Sequence, residues 1–168
     1  ESNDYTYIKS ISSDEQDSTI YSVFFRPQNL IWWDDFSNST INLDNWSYEI
    51  GNGCNQGANL CGWGNQELQS YSEENITIEQ VSGEEGNNAL VITAKEQGTS
   101  NFTSGRLTSQ DNIHFQYGIV EIRMKVPEVE TGLWPAAWLL GGNHAEVGWP
   151  KSGEIDLMEM GQKKSFRT

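Results

Sequence analysis

The sequence predicts an all-β fold in which many short strands pack as a β-sandwich. Short segments that alternate apolar and polar residues recur along the chain, and turns rich in Gly, Asn and Ser separate them. No segment of any length shows the period of a helix, and no internal repeat is present. The 168 residues are enough for one domain with a sizeable core.

The predicted strands follow a polar, acidic N-terminal stretch. We predict that residues 1–28 form an acidic arm or linker that ends in one strand, and that residues 29–168 belong to one folded domain. The strands predicted within this domain are 30–36, 45–50, 75–79, 89–94, 102–108 and 115–127. The last is the longest, and its alternation predicts one face in the core and one charged face toward solvent.

Residues 153–160 place three acids in one more predicted strand, and the chain is organised around them. Successive side chains of a strand alternate between its faces, so Glu154 and Asp156 share one face. Glu159 is five residues after Glu154, and simple alternation would put it on the opposite face. One extra residue, forming a β-bulge near positions 157–158, would return Glu159 to the face of the other two acids.

Acids that share a strand face repel one another, which disfavours the state in which all are charged. One protonated and one ionised carboxyl group are what retaining glycoside hydrolysis uses. Five residues of extended strand span about 16 Å, so convergence of Glu154 and Glu159 requires a curved strand. Ile155, with one or both of Leu157 and Met158, is expected to face the core. The simpler alternative is a solvated strand face that carries no chemistry.

Composition narrows the classes of partner. The formal net charge is −14, which disfavours nucleic acids and anionic membranes as partners. No apolar run approaches the roughly 20 residues that span a membrane. Seven tryptophans offer flat faces that suit sugar rings, although any one of them could instead fill a β core.

The two cysteines, Cys54 and Cys61, lie close together in a loop rich in Gly and Asn. Two cysteines with no histidine nearby fall short of the four ligands of a structural zinc site, so we predict a disulfide that staples the loop. A disulfide implies an oxidising compartment, and the expected location is secreted, extracellular or periplasmic. N-x-S/T sequons begin at Asn38, Asn45, Asn75 and Asn101. These sequons matter only if the source is eukaryotic.

The acid strand, Gly-Glu-Ile-Asp-Leu-Met-Glu-Met, resembles the catalytic strand of glycoside hydrolase family 16 in the bulged form typical of its laminarinases and agarases. Further blocks are similar to motifs of the same family in the same order. They are Trp-Gly-Asn-Gln-Glu-Leu-Gln-Ser-Tyr at 63–71, Ser-Gly-Arg-Leu-Thr-Ser at 104–109, Gly-Leu-Trp-Pro-Ala-Ala-Trp-Leu-Leu-Gly at 132–141 and Trp-Pro at 149–150. The opening strand is similar too, with Asp35 in place of the usual Glu. The resemblance covers about residues 30–162.

The resemblance implies a β-sandwich jelly roll with a concave substrate cleft. Domains of this family continue for several strands after the acid strand, whereas this chain ends at Thr168. We therefore expect the C-terminal strands to be missing from the chain. Residues 29–168 would form the N-terminal portion of a catalytic domain, which is expected to be a monomer once complete.

The activity implied is endo-acting, retaining hydrolysis of β-1,3-glucosidic bonds in laminarin-type β-glucans. Carried over to this sequence, Glu154 is the nucleophile and Glu159 is the general acid and then the general base. Asp156 would hold one of these two Glu residues in position and tune its proton affinity. Agarose and mixed-linkage glucan are substrates of neighbouring subgroups and stay open as alternatives.

Substrate binding is assigned to residues in the other similar blocks. Trp134, Trp138 and Trp149 would stack on glucose rings, and a strand would put the first two on one face. Asn65 and Arg106 would bind sugar hydroxyls, because an amide and a guanidinium fork both suit hydroxyl groups. Without the resemblance, Asn65 could equally be a turn residue and Arg106 a surface ion-pair partner.

The resemblance implies no cofactor for catalysis, but it leaves a structural calcium open. Family members often hold calcium on the convex side, and Asp35 and Gly86 lie in comparable segments, while a later Asp usual in the family is absent. Two other function classes compete with hydrolysis. One is a sugar-binding β-sandwich that uses the same tryptophans without turnover. The other is a cation-binding or structural protein in which the acids are metal ligands.

Overall fold

The computed structural model describes residues 5–11, 18–24, 30–128 and 132–161. The chain divides into two compact units, Glu1–Asp34 and Asp35–Thr168. In the first unit, β1 (Tyr5–Ile11) and β2 (Ser18–Phe24) form an antiparallel hairpin with seven paired positions. The structure therefore has two strands where the sequence predicted one. The assignment of residues 1–28 to an arm stays a prediction.

Small antiparallel sheets dominate the described part of the second unit. Its strands are β3 (Ser47–Tyr48), β4 (Gln69–Tyr71), β5 (Ile76–Gln80), β6 (Asn88–Ile92), β7 (Lys95–Glu96), β8 (Phe102–Ser104), β9 (Leu107–Thr108), β10 (Ala136–Leu140) and β11 (Glu154–Glu159). The antiparallel pairs are β3–β9, β5–β6, β7–β8 and β10–β11, and β4 pairs with β8 in parallel.

Helices are few and short in the residues that the structure describes. There are three 3₁₀ segments, Cys54–Gln56, Ala58–Gly64 and Glu73–Asn75, and one four-residue α-helix, α1 (His144–Val147). None of these helices is long and apolar enough to cross a membrane. The predominance of strands confirms the predicted all-β fold class.

Two predicted strands are wrong, and a third is shorter than expected. No strand is assigned over 30–36 or 115–127, and the strand predicted at 45–50 is limited to Ser47–Tyr48. In the longest of them, Ile119 and Ile122 expose 65% and 49% of their surface. A strand is completed by hydrogen bonds from a neighbouring strand, and no strand pairs with 115–127 within the described residues. An alternating pattern cannot supply that partner.

A small core forms where β5, β6 and β8 meet, next to the loop that carries Arg106. Ile76 exposes only 7% of its surface, and Asn75 beside it only 3%. The backbone at Gly105 passes so close to Ile76 that a Cβ there would collide with the isoleucine side chain. This close approach explains why glycine precedes Arg106 and helps to fix the position of the loop.

Asn75 joins three segments through its buried amide. Its Nδ2 donates to the carbonyl oxygen of Thr93 at 2.6 Å and to Oγ1 of Thr103 at 3.2 Å. This nitrogen is the atom to which an N-linked glycan would be attached. In the structure it is instead engaged in these two hydrogen bonds. The amide links β5, the end of β6 and β8 in place of apolar packing.

We expect Asn75→Leu to lower the free energy of unfolding by about 1–3 kcal/mol, because Asn75 is buried and both its acceptors, on Thr93 and Thr103, lose their donor. Urea unfolding followed by tryptophan fluorescence would measure the loss. Asn101→Leu is the matched control, since Asn101 is exposed and its described backbone contact would survive. Equal stability of the Asn75 and Asn101 variants would show that the Asn75 amide is dispensable.

Candidate active site

The β10–β11 pair carries the three acids and a bulge. The register across the pair places Ala136 opposite Glu159, Ala137 opposite Met158, Trp138 opposite Asp156 and Leu140 opposite Glu154. The register shifts between Ala137 and Trp138, so Leu157 is the extra residue of β11. The β-bulge predicted at positions 157–158 is confirmed.

The bulge puts all three acids on one face of the strand pair. Residues directly opposite each other in an antiparallel pair point to the same side. Alternate residues of β10 lie opposite Glu154, Asp156 and Glu159, so the acids form one row on that side. Ile155 lies on the other side but exposes 65% of its surface. The expectation that Ile155 is in the core is therefore wrong, since no described layer covers it.

Trp149 holds the carboxylate at the N-terminal end of this row. Its Nε1 donates a hydrogen bond of 2.7 Å to Oε2 of Glu154. Trp149 lies in the turn between α1 and β11 and exposes 67% of its surface. The indole N–H is a donor only, so it fixes one carboxylate oxygen and leaves the other for a reacting atom.

Trp134 holds the carboxylate at the C-terminal end of the row in the same way. Its Nε1 donates to Oε1 of Glu159 at 3.0 Å, and 65% of its surface is exposed. Trp134 precedes β10, and the hydrogen bond from the Met160 backbone N–H to the Pro135 carbonyl extends the pairing to this point. The two predicted catalytic Glu residues thus have matching indole donors at opposite ends of the strand.

Arg106 lies beside the middle of the row, among aromatic rings. Its Cζ is 5.1 Å from the ring centre of Trp138, 4.4 Å from that of Trp63 and 5.8 Å from that of Tyr71. Trp138 is the residue opposite Asp156, so it connects the acid row to the guanidinium. Arg106 also donates from Nε to Oε2 of Glu49 in a half-buried ion pair.

The loop before β4 frames Trp63. Cys54 and Cys61 are joined by a disulfide in this loop, with their Cα atoms 4.0 Å apart. Trp63 Nε1 donates to the Gly51 carbonyl at 3.2 Å, and the Trp63 and Tyr71 rings lie 5.5 Å apart. These contacts hold the ring against which the Arg106 guanidinium packs.

Glu67 organises a polar network next to these rings. Its carboxylate accepts from Tyr71 Oη at 2.6 Å, from Gln69 Nε2 at 2.8 Å and from Asn65 Nδ2 at 3.3 Å. Burial, followed by the hydrogen bond to Glu67, raises the pKa of Tyr71 to about 12. The phenol therefore stays protonated at neutral pH and keeps donating to Glu67.

The structure brings most of the predicted site residues together and adds others. Trp134, Trp138 and Trp149 each lie next to one of the acids, either by hydrogen bond or by register. Asn65 is exposed and reaches the acid row only indirectly, through Glu67, Tyr71 and Arg106.

Sequence reasoning did not identify the parts played by Glu49, Trp63 and Glu67. Trp63 and Glu67 lie inside the block at 63–71, so that block held the available signal. No signal in the sequence indicated the role of Glu49, because this residue lies 57 positions from its partner Arg106.

Calcium of the kind implied by the resemblance would need six to eight oxygen ligands. Asp35 offers a carboxylate whose pKa is lowered by hydrogen bonds from Ser37, including one of 3.0 Å from the Ser37 backbone N–H. However, no group of three His, Cys, Asp or Glu side chains that could hold a metal lies in the described residues. Because calcium also takes backbone carbonyl oxygens as ligands, the structural calcium stays a prediction.

Comparison with known proteins gives this geometry a family context. Residues 59–167 match the family model described as "XgeA-like, catalytic GH16 domain". A solved laminarinase from Flavobacterium sp. UMI-01 is 44% identical, with a TM-score of 0.67, and the match covers 79% of this chain and 52% of that one. This likeness confirms the predicted fold class, an all-β sandwich of the jelly-roll type.

Two curated relatives match a similar share of the chain. The clotting factor G alpha subunit of Tachypleus tridentatus is 42% identical over 132 residues, which are 77% of this chain and 17% of that protein. The glucan endo-1,3-beta-glucosidase A1 of Niallia circulans is 34% identical over 135 residues, or 78% and 20% of the two chains. The chain thus spans about a fifth of these relatives and about half of the solved laminarinase.

Glycosidases of this family need no cofactor for catalysis. The family model covers more than half of the chain, and it includes the acid strand, the Arg106 loop and the whole block at 63–71. The chain belongs to glycoside hydrolase family 16.

Proposed function

We propose that this chain carries the catalytic strand of a retaining endo-β-1,3-glucanase that acts on laminarin-type β-glucans. The observation that carries the proposal is the row of three acids across the Leu157 bulge, with Glu154 and Glu159 each held by an indole N–H. The names of the Niallia relative and the Flavobacterium laminarinase support the substrate class.

The first half of the proposed reaction forms a covalent intermediate. One oxygen of the Glu154 carboxylate attacks the anomeric carbon while the bond from that carbon to the glycosidic oxygen breaks. Glu159 transfers its proton to the departing oxygen, so the leaving sugar chain is released as an alcohol. The Trp149 N–H holds Oε2 of Glu154, which leaves Oε1 to make the new bond.

The second half returns the enzyme to its starting state. Glu159, now a carboxylate, takes a proton from a water molecule, and the water oxygen attacks the same anomeric carbon. The ester bond to Glu154 breaks, and the product keeps the β configuration because two inversions have occurred. Asp156, between the two Glu residues, is proposed to hold one of them in position.

The exposed tryptophans suit a sugar chain that lies along the acid row. Trp134 and Trp149 present most of their surface, 65% and 67%, near opposite ends of β11. Their N–H edges are directed at the carboxylates, so the ring faces remain available to glucose units. The proposed substrate therefore runs along β11, from one of these rings to the other.

Product analysis tests the reaction class and the mechanism together. We expect the full-length protein to release reducing sugar from laminarin faster than from mixed-linkage glucan or agarose. Proton NMR in the first minutes should show the β-anomer of the new reducing end before mutarotation produces the α-anomer. The α-anomer appearing first would contradict the retaining mechanism, and preferential release from agarose would contradict the substrate class.

A second candidate is a glucan-binding domain without turnover. It is favoured by one observation, that the Tachypleus relative is named as a clotting factor subunit rather than as a hydrolase. Under this proposal the tryptophans would bind the polysaccharide and the acids would have no chemical role. Laminarin binding by calorimetry with no release of reducing sugar would select this candidate over the glucanase.

We also propose that the protein acts as a monomer outside the reducing cytosol. The disulfide between Cys54 and Cys61 supports this location, because such bonds persist in oxidising compartments. Analytical ultracentrifugation and fractionation of the source cells would test the two statements separately.

A further inference from the structure

We propose that Glu49 is a positioning residue that orients Arg106 toward the bound glucan, an inference that rests on the function proposed above. Glu49 and Arg106 are linked twice. Their side chains form an ion pair through Arg106 Nε, and the Glu49 backbone N–H donates to the Arg106 carbonyl at 3.0 Å. Both residues adjoin the short β3–β9 ladder, in which Tyr48 pairs with Leu107.

The rings around Arg106 restrict where its guanidinium can lie. Trp63, Trp138 and Tyr71 place their ring centres within 4.4–5.8 Å of Cζ. Stacking sets the plane of a guanidinium but leaves it free to rotate within that plane. Because Glu49 binds Nε, it removes this remaining freedom and leaves both terminal nitrogens for other partners.

The ring contacts also relate this guanidinium to the reacting bond. Trp138 lies opposite Asp156, so its side chain is on the face that carries all three acids. Arg106 packs against the same ring, next to the centre of the acid row. The terminal nitrogens of Arg106 can therefore contact a glucose unit next to the glycosidic bond that is cleaved between the Glu154 and Glu159 carboxyl groups. Glu49 acts on the sugar only through Arg106.

A second ion pair, between Glu84 and Arg123, is a surface contact with which the Glu49–Arg106 pair can be compared. Glu84 and Arg123 also form a hydrogen-bonded pair, but their side chains are 39% and 75% exposed. The Glu49 and Arg106 side chains are only 20% and 21% exposed, and the Arg106 guanidinium lies against aromatic rings. Solvent screening weakens the Glu84–Arg123 pair and affects the Glu49–Arg106 pair much less.

A double-mutant cycle on the full-length protein tests this role. We expect Glu49→Gln to raise KM for laminarin roughly tenfold, while kcat changes less than about threefold, because Arg106 is expected to bind ground and transition states alike. Glu49→Asp should recover part of the loss, since it restores the charge. In the Arg106→Gln background, Glu49→Gln should add no more than about twofold, because its target is gone.

Glu84→Gln is the matched control, and we expect it to leave KM and kcat unchanged. The positioning role would be overturned if the effects of Glu49→Gln and Arg106→Gln on KM were fully additive. A fall in kcat with KM unchanged in the Glu49→Gln variant would also overturn it. If the wild type binds laminarin without cleaving it, the glucanase proposal fails, and the same cycle measured on Kd decides the role of Glu49. If the wild type neither binds nor cleaves any β-glucan, both proposals are wrong.

Discussion

Glu154→Ser is expected to lower kcat on laminarin by roughly 10⁴-fold, because it removes the atom that attacks the anomeric carbon. Binding should largely survive, since Trp134 and Arg106 are held by other partners, although Trp149 loses its hydrogen bond to Glu154. Reducing-sugar assays would measure turnover, and calorimetry with laminari-oligosaccharides would measure affinity. Glu121→Ser, which removes an exposed acid outside the acid row, serves as the charge-matched control.

Azide provides a sharper test of the same residue. A small anion can occupy the space left by the Glu154 side chain and attack the anomeric carbon from the same side. Glu159 would still protonate the departing oxygen, so an activated aryl glucoside should yield an α-glucosyl azide. The absence of rescue, or wild-type turnover in the serine variant, would remove Glu154 from the role of nucleophile.

Glu159→Ala is expected to lower kcat on laminarin by roughly 10²–10⁴-fold, the usual contribution of general acid–base catalysis. The loss should depend on the leaving group, in contrast to the loss in the Glu154 variant. The dinitrophenolate of a dinitrophenyl glycoside leaves without protonation, so formation of the glycosyl-enzyme from this substrate should remain fast. Stopped-flow release of dinitrophenolate should show a burst, followed by slow hydrolysis of the ester on Glu154.

The variant should also be rescued with the opposite stereochemistry. Azide does not need a general base, so it should attack the intermediate directly and give a β-glucosyl azide. Mass spectrometry of the quenched burst should place one sugar unit on the peptide that contains Glu154. Equal losses on laminarin and on the aryl glycoside would contradict a general-acid role for Glu159.

The bulge at Leu157 was predictable because it follows from counting along one strand. Three acids in the pattern E-x-D-x-x-E can share a face only if one residue between Asp156 and Glu159 is left out of the pairing. Local information sufficed here, as it did for β5, whose residues alternate, and for β6, which is an apolar run. The identity of the acid row could therefore be predicted from the sequence.

The segment 115–127 shows what local pattern cannot decide. Its alternation is as regular as that of many strands, but a strand also requires an edge on which to pair, and that edge comes from elsewhere in the chain. The burial of Ile155 was misjudged for the same reason. An apolar residue on one face of β11 is covered only if another layer lies there, and no local rule specifies that layer.

The side-chain partners of the site were the least predictable part. Trp134 and Trp149 were expected to stack on sugars, whereas the structure shows that their N–H groups also hold the two Glu residues. The Glu49–Arg106 pair joins β3 to the loop before β9, and the resemblance drew attention only to the arginine. Hydrogen bonds between distant positions depend on the assembled fold, so each had to be observed.

The extra residue in β11 has a consequence for how this strand can vary. A strand has a two-residue parity, and an inserted residue normally inverts the side on which every later residue lies. At Leu157 the insertion is absorbed as a bulge, so the parity of Glu159 relative to Glu154 is preserved. Deleting Leu157 would leave a regular strand in which the same three acids still share a face. Deletion of this one residue therefore leaves the three acids on the same face. A single insertion between Glu154 and Asp156, in contrast, would need a second bulge to keep them there.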